Sequence, residues 1–410
     1  MSNKKKPSCL GKNNFYLCDR LNHIKKTKFA ENIMEKIQMV DLKRQYEKIQ
    51  PEIDEAVIRV IRSTQYINGP EVKEFQKELE EYLGVKHVIP CANGTDALQV
   101  SMMALGLEPG DEVITTSFTF VATVEVIALL GLTPVLVDVD PDTFNIDPEA
   151  FKKAIGPKTK AVVPVHLFGQ CAHMEPLLDI ARENGIFVIE DNAQAIGADY
   201  LFSDGRSQKA GTLGKLGCTS FFPAKNLGCY GDGGAVFTND DETAARLRMI
   251  VNHGMEKRYY HDEVGVNSRL DSLQAAILRI KLRRLDEYAA ARQRAADYYD
   301  KAFEGEPNLQ TPERSSFSTH VFHQYTLKTS KINRFELQDF LMSEGIPAMV
   351  YYPVPMHMQK AYDDPRYKKG DFPVTEDLSK RVISLPMHTE LDDEQLRHIT
   401  EKVLSFFRKQ

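Results

Sequence analysis

Three short stretches hold residues whose types and spacing suit covalent chemistry. The first is SFFPAKNLGCYGDGG, where Lys225 stands between a Phe–Phe pair and a glycine cluster. Apolar surroundings disfavour the charged form of a lysine and leave a free amine, the form that attacks carbonyls. Ser220, five residues earlier, brings a hydroxyl, and the glycines of GDGG permit close backbone approach and positive φ. The second stretch is FVIEDNAQA, in which Asp191 ends an apolar run. An acid there either caps the next segment or pairs with a cationic ligand atom. The third is CANGTDALQ, with Gly94 and Thr95 at an expected helix start and Asp96 in its first turn. Free N–H groups and the helix dipole make such a turn a phosphate site. Taken singly, each stretch has a plainer explanation: a lysine reaching out of a loop, an ordinary cap, a turn built from N-G-T.

The elements that must position these residues are short apolar runs alternating with helical stretches. The runs are HVIPCA, DEVITTSFTFVAT, TPVLVDVD, KAVVPVHLFG, GIFVIEDNAQA, CTSFFPAKN and GAVFTND. Such alternation predicts an α/β fold with a mostly parallel sheet covered on both faces. In sheets of that kind ligands bind beyond the carboxyl ends of the strands. Upstream, Leu42 to Ser63 has helical spacing. PEVKEFQKELEEYLG predicts a second helix, with Pro70 in its first turn and Gly84 closing it. From Asp271 to Phe303 the pattern predicts one long connecting helix. The remainder mixes strands (HQYTLKT, AMVYYPV) with helices (RFELQDFLMSEG, DEQLRHITEKVLSFF), a smaller α+β unit. The expected organisation is a basic extension over 1–38, a large domain over 39–290 and a small C-terminal domain over 291–410.

The 410 residues carry a net charge of −6, which gives no electrostatic case for nucleic acid. No apolar run approaches the roughly 20 residues that span a bilayer. The first 33 residues are basic, Lys4, Lys5, Lys6, Lys12, Arg20, Lys25, Lys26 and Lys28 against Asp19 and Glu31, with no apolar segment after them. That reads as a solvated tail or an upstream start before Met34, not as a secretion signal. The six cysteines have neither metal-ligand nor disulfide-framework spacing and fit free thiols in a cytoplasmic protein. His320 and His323 lie at i and i+3 in an expected strand, where they would face opposite ways, so no metal is expected.

A phosphate site, then an acid, then a desolvated lysine, in that order on one α/β sheet, meets the requirements of pyridoxal phosphate. The lysine attaches to the aldehyde, the acid keeps the pyridine nitrogen protonated and the turn holds the phosphate. The chain also resembles a known family through CANGTDAL, TSFTFVAT, PVHLFGQ, VIEDNAQA, TSFFPAKNLGCYGDGGAVFTND, NHG and GVNSRLDSLQAAIL. These are similar to motifs of the pyridoxal-phosphate-dependent sugar-nucleotide aminotransferases of the StrS/DegT type, in the same order, from Met39 to the C-terminus. The resemblance implies a fold-type-I enzyme with the aspartate aminotransferase fold. It implies that Lys225 holds the cofactor and shuttles the proton, and that Asp191 pairs with the pyridine nitrogen. Gln194 would lie near the ring's phenolic oxygen, Phe120 would stack on the ring, and Gly94, Thr95 and Ser220 would bind the phosphate. Asn267 and Arg269 would arrive from the second subunit of a homodimer with shared active sites. Asn192 departs from the small residue usual after the acid, on the side expected to face away from the ring.

Within the family, the run from Arg258 to Leu278 and the CTSFFPAK stretch look like the enzymes that aminate C3 of a UDP-2-acetamido-2-deoxy-3-keto-hexuronate. The implied amino donor is L-glutamate, and the implied setting is surface polysaccharide (O-antigen) biosynthesis. Arg269, Arg258, Tyr352 and His357 are the candidate substrate contacts. Tyr351 stands where the resemblance expects a histidine, which leaves the sugar open. The alternatives are an aminotransferase for a 4-keto-6-deoxy sugar nucleotide and a non-catalytic regulator on this fold. A dehydratase of the family would carry histidine at Lys225.

Overall fold

The computed structural model describes residues 36–408. The basic segment 1–35, most of the expected extension, lies outside the described residues. The two expected N-terminal helices are present. Leu42–Ser63 buries Ile49, Ile53, Ala56 and Val60 on one stripe, and the Asp41 side chain caps it through the N–H of Arg44. Pro70–Leu83 has its proline in the first turn and ends on Gly84, whose φ of 65° suits a residue without a Cβ.

Seven strands form the large sheet: β1 (His87–Cys91), β2 (Glu112–Thr116), β3 (Thr133–Val137), β4 (Thr159–Val163), β5 (Phe187–Asp191), β8 (Leu216–Ser220) and β9 (Gly234–Thr238). A small hairpin, β6 (Asp199–Leu201) and β7 (Ser207–Lys209), lies between β5 and β8. The strand order is β1-β9-β8-β5-β4-β2-β3, and only β9 runs against its neighbours. The sheet is therefore mostly parallel, as expected. Helices cover its apolar strands, and Ile89, Val113, Val163, Ile189 and Val236 are at most 2% exposed. Each such side chain contributes about 1.5–3 kcal/mol by leaving water.

The register decides what meets at one end. Parallel pairing puts the carboxyl ends of β2, β4, β5 and β8 together, with Asp191 beside Cys218. Because β9 is reversed, its first residue, Gly234, pairs with both Cys91 and Ser220. The turns after β1 and β8, the two stretches that carry Gly94 and Lys225, are thereby brought to either side of Gly234.

Three local expectations are corrected. The stretch from Asp271 to Phe303 is two helices, Ser272–Leu282 and Leu285–Phe303. The N–H of Arg284 turns back to the Lys281 carbonyl, the Arg284 guanidinium takes the Ile280 carbonyl, and Asp286 and Glu287 suit a new helix start. AMVYYPV is irregular, with one bridge from Met349 to Ser384. In HVFHQYTL only β13 (Tyr325–Thr329) is strand; Phe322, with φ 45°, breaks the extended run before it. Another hairpin, β10 (Met255–Lys257) with β11 (Tyr260–His261), precedes the GVNSRLD segment. The C-terminal sheet joins β12 (Leu309–Gln310), β13 and β14 (Val382–Leu385), antiparallel throughout. The expected domain boundary at 290 falls inside the helix Leu285–Phe303.

Candidate active site

Asp191 ends β5 and is buried, yet its carboxylate is fixed rather than stranded. Oδ2 accepts a hydrogen bond of 2.8 Å from the Thr123 hydroxyl, and Oδ1 accepts the N–H of Ala193 at 3.1 Å. Lys225 lies in the turn after β8, its N–H on the Phe222 carbonyl at 2.8 Å. The next residue, Asn226, anchors this turn to the C-terminal part by donating to the Val321 carbonyl at 2.9 Å. Lys225 is partly accessible. Burial of its amine pulls the pKa down to about 8, and the Asp191 carboxylate acts in the opposite direction.

The direction gives a test. Lowering the pKa means that the amine is neutral above about 8 instead of above 10.5. Capture of pyridoxal phosphate by cofactor-free protein, followed by absorbance, is expected to slow about tenfold per pH unit below that value. It should level off above it. A rate that still climbs towards pH 10 would show an ordinary lysine.

The turn after β1 is built for an anion. Asn93 caps the helix Gly94–Ala104, accepting the N–H of Asp96 at 2.8 Å on its side chain and that of Ala97 on its carbonyl. The N–H groups of Gly94 and Thr95 remain at the helix start for a ligand. A Cβ on Gly94 would lie 2.6 Å from the Ser220 Cβ, and one on Gly234 would lie 2.4 Å from the Asn93 carbonyl carbon. Only glycine lets the two turns approach so closely. GDGG therefore serves close approach, but none of Gly231, Gly233 and Gly234 has positive φ, contrary to part of the expectation. The residues fit pyridoxal phosphate: a desolvated amine, a fixed buried carboxylate and a helix start with free donors face the same end of the sheet.

The other expected residues divide into two sets. Gln194 is buried, accepts the Phe168 N–H at 2.8 Å and donates to the Tyr352 hydroxyl at 3.1 Å. Burial pushes the Tyr352 pKa up, so its hydroxyl keeps its own proton for a ligand. Phe120 is 54% exposed and lies 6.3 Å from the Tyr352 ring, presenting an aromatic face. Asn192 donates to the Ala210 carbonyl and packs on Gly211. Asn267, Arg258 and Arg269 form the second set. Asn267 and Arg258 are exposed and Arg269 half-buried, and none has a hydrogen bond or ion pair to Lys225 or Asp191. Ser268, between Asn267 and Arg269, accepts the Ala92 N–H at 3.0 Å and so fixes that segment behind the anion turn. His357 is corrected. Its side chain has no accessible surface, and its ring nitrogens face Ser117 and Glu376.

Three residues of the site escape reading from sequence. Thr123, inside the quoted TSFTFVAT, holds Asp191. Glu190, fully buried beside Asp191, accepts the N–H groups of Gly211, Leu213 and Gly214 and faces His166 Nε2 at 2.8 Å. With the Ala172 N–H on Nδ1, His166 carries its proton on Nε2 and donates to Glu190. An acid beside an acid at a strand end was the available signal. His323 is buried against Gly169, on the segment that Asn226 anchors; burial and the cations Lys225 and Arg292 keep it neutral. His320 instead stacks on Phe322 at 3.8 Å and accepts its N–H. No group of three metal-ligating side chains occurs among the described residues.

A Pseudomonas aeruginosa protein named UDP-2-acetamido-2-deoxy-3-oxo-D-glucuronate aminotransferase is 48% identical over 363 residues, 88% of this chain and 98% of that protein. A Geobacillus stearothermophilus protein named "Pleiotropic regulatory protein" is 46% identical over 374 residues, 91% of this chain and 99% of that protein. The solved structure of Streptomyces venezuelae DesV superimposes with a TM-score of 0.87 at 38% identity, covering 91% of this chain and 98% of that one. The profile of one family matches residues 47–404, a span that takes in the anion turn, Asp191, Lys225 and the GVNSRLD segment: the chain belongs to the DegT/DnrJ/EryC1/StrS aminotransferase family.

Proposed function

We propose that this enzyme moves an amino group from L-glutamate to the C3 ketone of a UDP-linked 2-acetamido-2-deoxy-3-keto-hexuronate. The broader class is settled by membership: the chain is a pyridoxal-phosphate-dependent sugar-nucleotide aminotransferase. The observation that carries the finer reading is the 48% identity, over 88% of the chain, to a protein named for that uronate. The relative named as regulatory does not favour a non-catalytic reading, because this chain keeps Lys225, Asp191 and the glycine cradle.

Pyridoxal phosphate, when bound, supplies a carbonyl for amines and a ring that accepts electrons. Every other task falls to side chains. We assign the phosphate to the N–H groups of Gly94 and Thr95 and to the Ser220 hydroxyl. Asp191, steadied by Thr123 and Ala193, holds the proton on the pyridine nitrogen. Lys225 would hold the cofactor through its amine and, once freed, would take the proton from the donor's α-carbon as the acid–base group; with the sugar it would serve in the reverse direction, so the half-reactions alternate. Phe120, Gln194 and Tyr352 line the ligand side. Asn267, Arg269 and Arg258 are assigned to the neighbouring active site of a homodimer. Their outward placement, with no tie to Lys225 or Asp191, supports this. We place the enzyme in the cytoplasm and in surface-polysaccharide biosynthesis; no described helix is long and apolar enough to cross a membrane. The proposed division is a large cofactor domain over 39–290 and a small domain over 291–410.

The substrate is tested by competition between the 3-keto uronate and a 4-keto-6-deoxy sugar on the same nucleotide. A bidentate arginine–carboxylate pair, for which Arg258 and Arg269 are the candidates, discriminates strongly against a sugar without the acid. The uronate is expected to have the higher kcat/KM by on the order of a hundredfold. A preference for the 4-keto-6-deoxy sugar would remove the uronate and leave the aminotransferase class intact.

A further inference from the structure

His357 belongs to a buried chain of polar groups that joins two distant parts of the sequence. Its Nδ1 lies 2.7 Å from the Ser117 hydroxyl, and its Nε2 lies 3.2 Å from Glu376 Oε1. Ser117 is fully buried, the His357 side chain has no accessible surface, and that of Glu376 is 9% exposed. Glu376 also accepts the Gly370 N–H. The backbone repeats the connection, since the Met356 N–H donates to the Ser117 carbonyl at 2.9 Å. A Ser–His–acid row suggests a nucleophile, but a serine closed to every substrate attacks nothing.

What the row connects gives its role. Ser117 follows β2 and stands three residues before Phe120; His357 stands five residues after Tyr352. Glu376 lies on the helix Pro373–Arg381, whose start is held by Asp138 just beyond β3, through the N–H groups of Val374 and Thr375 and the Thr375 hydroxyl. The segment 351–357 is thus clamped between the carboxyl end of the large sheet and that helix. Between the ends of the clamp, Phe118 lies 6.1 Å, Phe120 6.3 Å and Phe168 6.5 Å from the Tyr352 ring. Apolar packing alone tolerates sliding, whereas two buried hydrogen bonds fix direction and register and are costly to leave half-made.

We propose that Ser117, His357 and Glu376 are positioning residues that hold Phe120 and Tyr352 in one ligand-facing wall. This rests on assigning Phe120 and Tyr352 to the ligand side. His357 does not touch the ligand; it sets the distance between two residues that do. Removing its hydrogen bonds lets the wall loosen without disturbing Lys225 or Asp191, which depend on other partners.

The test uses full-length variants and binding alongside turnover. His357→Phe keeps a ring and removes both hydrogen bonds, Ser117→Ala removes one hydroxyl, and Glu376→Gln keeps an oxygen acceptor. Dissociation constants are measured by calorimetry for pyridoxal phosphate with cofactor-free protein and for UDP-N-acetylglucosamine with the loaded enzyme. His357→Phe is expected to raise at least one of them about tenfold or more, since displacements near 1 Å carry penalties of that order and above. Ser117→Ala should do so less strongly, and Glu376→Gln should stay near wild type. The borohydride-fixed link at Lys225 should persist. A folded His357→Phe or Ser117→Ala protein with both constants unchanged overturns the proposal, even if its Tm has fallen, because that is the behaviour of a purely structural contact. If His357→Phe does not fold, Ser117→Ala decides alone. Phe120→Ala and Tyr352→Phe separate the two levels: no effect in either overturns the wall itself, and the relay's role with it. Effects there, with none in the relay variants, overturn the relay only.

Discussion

Lys225→Ala protein is expected to bind pyridoxal phosphate reversibly and to show no measurable turnover with any amino donor. The wild-type protein should be yellow, and borohydride should fix the cofactor to the peptide containing Lys225. Two losses combine in the variant. On the proposed roles, the covalent attachment point disappears, and so does the group that carries the proton in each half-reaction. Loss of a positioned acid–base group alone costs about 10²–10⁴-fold, so turnover should drop below detection when both are gone. Cofactor should nevertheless remain bound, because the helix start at Gly94 and Thr95, the Ser220 hydroxyl and the Asp191 carboxylate belong to other turns of the sheet. Alanine is tolerated there, since Lys225 lies in a turn, partly accessible, outside the packed strands. Borohydride label on another lysine, or residual turnover within tenfold of wild type, would defeat the assignment.

Much of this site was legible because it hangs on strand ends. Apolar runs bounded by polar turns mark β1, β5 and β8, and a parallel sheet places their carboxyl ends together, so the sequence alone groups Gly94, Asp191 and Lys225. What could not be read depends on lateral neighbours and side-chain direction. Thr123 supports Asp191 from 68 residues away, and Glu190 meets His166 across 24; nothing in either local stretch announces the partner. From sequence, His357 in PMHMQ fits either a substrate contact or a loop lining, and its ring turns inward to Ser117, 240 residues distant. The helix break at Arg283 and Arg284 was hidden for another reason. Apolar positions continue in helical register on both sides, and only the side-chain and backbone turn at Arg284 interrupts the hydrogen-bond ladder.

Asp191→Asn protein is expected to keep its cofactor and lose most of its rate. The geometry favours a clean result: asparagine has the same shape, its amide oxygen can keep the Ala193 N–H, and its NH2 can donate to the Thr123 hydroxyl, which now bonds Oδ2 at 2.8 Å. What disappears is the negative charge that is assigned to hold a proton on the pyridine nitrogen. A charge-assisted hydrogen bond contributes about 1.5–3 kcal/mol, and only part of that is felt in the resting complex, where the ring carries no excess electrons. The remainder appears as electron density moves into the ring during proton removal. Loss of one preorganised group facing developing charge costs on the order of 10²–10³ in kcat. The split is therefore diagnostic: cofactor affinity, measured by absorbance titration of the cofactor-free variant, should weaken modestly while kcat collapses. Lys225 offers a second reading in the same protein. Asp191 now opposes the effect of burial on its amine, so removing the carboxylate should lower the pH at which cofactor capture levels off, from about 8. A variant with near-normal kcat, or one whose capture profile moves upward in pH, would show that Asp191 is not the partner of the pyridine nitrogen.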